Sequence, residues 1–79
     1  MKTYGITYEL SVQVFDDMFP IFKDIYVKDL INEIECKANG IVKTEPQINV
    51  HDDFVTDETT GETWPIKRII CTAQYEEKA

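Results

Sequence analysis

The stretch Thr3 to Phe15 constrains the fold more than any other part of this chain. Its even positions are Tyr4, Ile6, Tyr8, Leu10, Val12 and Val14, all apolar, and its odd positions Thr3, Gly5, Thr7, Glu9, Ser11 and Gln13 are small or polar. A β-strand sends successive side chains to opposite faces, so this alternation predicts a strand with one face on a core and one in water. Asp16-Asp17 then breaks the pattern and offers a helix N-cap, with Pro20 placed in a first turn, where a missing N–H costs no hydrogen bond.

From Tyr26 the period becomes helical. Tyr26, Val27, Leu30, Ile31, Ile34 and Ala38 share one face, whereas Met18, Phe19, Phe22 and Ile25 belong to a rotated face. The offset predicts a kink or a break near Lys23-Asp24, with Asp24 capping a second piece. Asn39-Gly40 supplies a left-handed residue to end the helix.

Two more strands are expected. Ile41 to Thr44 begins one, but Pro46 removes a ladder donor and marks an edge, and Gln47 to Val55 places Ile48, Val50 and Phe54 on one side. Thr56 to Glu62 is a polar turn, and the last strand runs about Thr63 to Tyr75, with residues from about 76 as a frayed tail. The expected fold is therefore α+β in the order β-α-β-β: a three-stranded, mainly antiparallel sheet of order 1-3-2 with one helix on one face. The second sheet face, with Thr3, Thr7, Glu9, Ser11 and Gln13, is left open, and Ile66, Ile70 and Phe15 are expected to add apolar area to it. Seventy-nine residues make a single domain, 1–79, near the lower limit for a chain that folds on one core.

The net charge of −7 disfavours direct contact with phosphate backbones or anionic membranes. Residues 51–62 hold Asp52, Asp53, Asp57, Glu58 and Glu62 with no Lys or Arg. With Trp64, an aromatic of the type that anchors interfaces, these residues form the candidate partner-binding site. Cys36 and Cys71 match neither a redox nor a zinc spacing and are expected to be reduced structural thiols. No secretory signal is visible at the N-terminus and no run reaches about 18 apolar residues, which places the protein in the cytoplasm.

The candidate chemistry is sparse. His51 and Asp53 fall on one side of a strand and, with Asp57, are the residues a metal-assisted enzyme would use, but there is no second His and no nucleophile motif. Neither a cofactor nor a metal is called for, and the chain is not expected to be an enzyme. The leading expectation is an acidic protein-binding module, an inhibitor or accessory factor that covers a basic surface of a partner, of the kind encoded by phages or mobile elements. A self-associating subunit, such as a homodimer built on the open sheet face or an edge, is the alternative. The metal-assisted enzyme comes third.

Overall fold

The computed structural model describes residues 1–78. The chain runs β1 (Lys2–Ser11), α1 (Val12–Cys36), β2 (Gly40–Val42), β3 (Gln47–Thr56) and β4 (Thr63–Glu77). This is an α+β fold in which every strand pairs antiparallel with β4: β1 along one side, β2 and β3 along the other.

The sheet has four strands, where the sequence reading expected three. Val42 faces Tyr75 and Gln47 faces Thr72, so four residues (43–46) lie opposite two (73–74). This two-residue excess bulges the edge and divides one expected strand into β2 and β3. The β4 backbone stays bonded across the gap: Lys43 N–H donates to the Gln74 carbonyl at 2.8 Å, and Gln74 N–H donates to Thr44 Oγ1 at 3.0 Å. Pro46, which has no N–H to give, ends the bulge.

The N-terminal alternation holds for β1 and stops sooner than expected. Tyr4, Ile6, Tyr8 and Leu10 are half-buried and their odd neighbours exposed. At Ser11 the chain enters the helix with no loop, because the extended Ser11 backbone (φ −62°, ψ 154°) lets its Oγ accept from Val14 N–H at 3.3 Å. Ser11 therefore caps the helix, not Asp16-Asp17, and Pro20 lies inside the helix rather than in its first turn. Nor is the helix divided near Lys23-Asp24: α1 is one element of 25 residues. It ends at Cys36 with Lys37 as a right-handed cap (φ −92°, ψ −39°), and the expected left-handed residue, Asn39 (φ 50°), comes after the cap and leads into β2.

The core lies between the C-terminal half of α1 and β4. Tyr26, Leu30 and Ile34 pack on Ile69, Cys71, Ala73 and Tyr75, and Leu30, Ile34, Ile69 and Cys71 are sealed from water. The sulfur of Cys71 is a small core hydrophobe, and burial pushes its thiol pKa up, while Cys36 is free and exposed. Tyr8 stacks on Tyr26 with 3.8 Å between ring centres. Gly40 has no room for a Cβ, which would overlap the Tyr75 ring. The tail expected from residue 76 is strand instead, since Glu76 and Glu77 pair with Ile41 and Gly40; Ala79 lies outside the described residues. Helix α1 is not long and apolar enough to cross a membrane.

Candidate functional site

Pairing with β4 decides where each candidate residue points. In β3, even positions share the helix side of the sheet with Ile69 and Cys71, and odd positions share the open side with Arg68 and Ile70. Asp52 and Asp53, adjacent in sequence, thus leave the sheet on opposite faces. Asp52 forms an ion pair with Lys67 on the helix side, and Asp53 one with Arg68 on the open side. Arg68 also bonds Glu9 of β1 through Nη2 at 3.0 Å. Acids from both neighbouring strands thus converge on one central guanidinium, and these partners, the Glu9 hydrogen bond foremost, hold Arg68 more firmly protonated than usual.

His51 stands directly opposite Arg68 on that open face. It is close to Asp53 in the pleat, as the sequence implied, but the Asp53 carboxylate is engaged by Arg68. Among the described residues, no three His, Cys, Asp or Glu side chains converge as ligands for a metal ion.

The other candidate acids belong to the hairpin tip. Asp57 N–H bonds the Glu62 carbonyl at 2.8 Å, and its own carbonyl accepts from Gly61 N–H at 2.7 Å. The Asp57 carboxylate accepts from Thr59 N–H at 2.8 Å and so fixes the turn, while Gly61 takes the positive φ of 76° that the reversal needs. Glu58 and Glu62 are exposed.

The tip stands clear of the body. The last β1 residue, Ser11, faces Ile66, so the rows Phe54–Pro65, Val55–Trp64 and Thr56–Thr63 extend past β1. The backbone of helix α1 lies close to β1, β2 and β4 but, among the described residues, not to β3. An arm of two strands therefore projects with Phe54 66 % exposed toward the helix side and Trp64 42 % exposed toward the open side. The sequence marks Trp64 as an interface anchor and sets Phe54 only on the side of Ile48 and Val50. The side is as expected, but the helix does not reach that far to cover it.

Expectations for the open face need a second correction. Ile66 is buried and Ile70 half-buried, while Phe15 is on α1, stacked on Phe19 at 4.5 Å and overlain by Lys67 Nζ at 5.5 Å. The larger uncovered apolar feature is on the helix. Val14, Met18, Ile21 and Ile25 are 39, 37, 58 and 47 % exposed and follow one another at steps of four, three and four. That spacing is one ridge of an α-helix. The sequence carries the signal in the second apolar face near Met18 and Ile25, which one continuous helix displays without a break. Comparison with protein families, curated proteins and solved structures finds no match to this chain.

Proposed function

We propose that this chain is a small acidic protein-binding module, an inhibitor or accessory factor of the kind encoded by phages or mobile elements, which occupies a basic surface of a partner protein. The observation that supports this reading is the β3–β4 arm. It projects beyond β1 and the helix, shows Phe54 and Trp64 on its two sides, and ends in a turn carrying Asp57, Glu58 and Glu62. Exposed aromatics supply contact area at small entropic cost, and unpaired carboxylates around them steer a basic surface into place. Asp52 and Asp53 contribute less to that field because Lys67 and Arg68 already neutralise them.

The test is capture on tagged protein from a lysate of the source or its host, at about 0.1 M and about 0.5 M salt, a change that shortens the screening length roughly twofold. A stoichiometric basic partner is expected at low salt, lost at high salt and lost with the triple variant Asp57→Asn, Glu58→Gln, Glu62→Gln. Retention of the same partner by the triple variant overturns the reading. Self-association is the second reading, favoured by the outer edge of β1, which among the described residues pairs with no strand. Metal-assisted catalysis at His51, Asp53 and Asp57 has the least support, since Arg68 occupies Asp53 and Asp57 is committed to the turn.

A further inference from the structure

The β3–β4 arm is bare on both of its faces. Phe54 and Pro65 stand opposite each other on the helix side, and Val55 and Trp64 stand opposite each other on the open side, one row further out. β1 ends short of these rows, Phe54, Pro65 and Trp64 are exposed, and all four residues lie outside the core cluster. A two-stranded ribbon standing alone is marginal in water, yet this one is braced from within. Thr56 and Thr63 share a hydroxyl hydrogen bond at 3.2 Å, Asp57 N–H meets the Glu62 carbonyl at 2.8 Å, and the Asp57 carboxylate ties down Thr59. The arm is therefore shaped before it meets a partner, which lowers the entropy lost on binding.

A flat surface can cover one face of such a ribbon; only a cleft covers both. The charge says what kind of cleft. The chain has no Lys or Arg from Thr44 to Ile66, and Lys67 and Arg68 are taken by Asp52 and Asp53. Among the described residues Asp57, Glu58 and Glu62 form no ion pair, so the tip presents three uncompensated carboxylates and fits a basic floor. A two-stranded ribbon is slim enough to enter the roughly 12 Å major groove of a duplex, so it is slimmer than the duplex itself. Negative groups beside exposed rings are also what a single nucleic-acid strand offers to a basic channel lined with stacking residues.

We infer that the arm enters a basic cleft that its partner protein uses to hold a single strand of nucleic acid. Phe54 packs against one wall, Trp64 against the other, and the acidic turn meets the floor. The inference rests on the acidic-module reading and specifies the surface that the module covers. It makes the arm a competitor of the strand, matched to it in charge, in thickness and in having an aromatic ring for each wall.

The test is displacement of the basic partner held on the tagged chain at low salt. The probes are single-stranded oligothymidylate of about 16 nucleotides, the upper end of a usual site, and the same strand annealed to its complement. The single strand is expected to release the partner at a concentration at least about tenfold lower than the duplex, although the duplex carries twice the charge. Phe54→Ala and Trp64→Ala are each expected to weaken the complex at least about tenfold, as truncated anchors do. Far-UV circular dichroism of both variants stays unchanged, because both side chains are exposed. Release by both probes alike, release by neither, or a loss of affinity from only one of the two aromatics overturns the cleft and leaves the acidic module standing. Absence of any basic partner overturns both.

Discussion

The two halves of α1 use apolar residues in different ways. After residue 25, the helix places Tyr26, Leu30 and Ile34 at four-residue steps on the sheet, and all three are buried. Before it, Phe15, Phe19 and Phe22 are half-buried and a second ridge, Val14 to Ile25, stays in water. The C-terminal half holds the fold together. The N-terminal half carries more apolar surface than one layer of sheet can cover, and Pro20 interrupts its hydrogen-bond ladder besides. Stability and exposed apolar area are therefore separated along a single element.

The contrast is broken most severely at Leu30. Leu30→Ala removes a side chain with no exposed surface and is expected to cost about 2–5 kcal/mol in urea or thermal unfolding. A loss below about 1 kcal/mol would mean that the C-terminal half does not hold the core. Next comes Pro20→Ala, which restores the N–H that can reach the Asp16 carbonyl. It is expected to stabilise the chain by up to about 3 kcal/mol, and destabilisation would show that the proline is required by its surroundings. Ser11→Ala removes the bond to Val14 N–H and is expected to cost about 1 kcal/mol. Ile21→Ala, measured where the chain is monomeric, is expected to stay within about 0.5 kcal/mol of wild type.

A pH series sharpens the same comparison at the Tyr8–Tyr26 stack. Burial, followed by the Asp29 carboxylate, pushes the Tyr8 phenol up to about 12 from its ordinary 10.0. The unfolded phenol ionises first as pH rises, so this contribution to stability is complete below about pH 10 and is lost between about pH 10 and 12. Tyr8→Phe should flatten that alkaline decline, read from denaturation midpoints across the range. An unchanged slope would assign the decline to other groups.

What the sequence revealed follows from how local each signal is. The alternation from Thr3 to Leu10 needs no partner to be read, because one buried face sorts every residue by parity. The end of β1 was obscured because Val12 and Val14 continue the alternation by chance, while the deciding event is a single hydroxyl at Ser11 accepting from Val14 N–H. The helix looked broken because two apolar faces were taken as two pieces, when one continuous helix carries both. For the candidate site, sequence adjacency made Asp52 and Asp53 look like one patch. Strand alternation alone sends them to opposite faces, and the pairing of β3 with β4 adds what the sequence does not show, their partners Lys67 and Arg68. Phe54 was missed for a related reason, since the reach of the helix over β3 is set by tertiary packing rather than by local pattern.

The position of β4 has a consequence for how the chain acquires its structure during synthesis. Every strand pairs with residues 63–77, which are translated after all the others. Before those residues emerge, β1, β2 and β3 have no strand to pair with, and Tyr26, Leu30 and Ile34 have no sheet beneath them. The contacts that close the fold join residues as far apart as Lys2 and Tyr75, so folding should be slow for the chain's size and should advance in one late step rather than domain-first from the N-terminus. A nascent chain halted before residue 63 would present its helix ridge and β1 edge to whatever apolar surface it first meets.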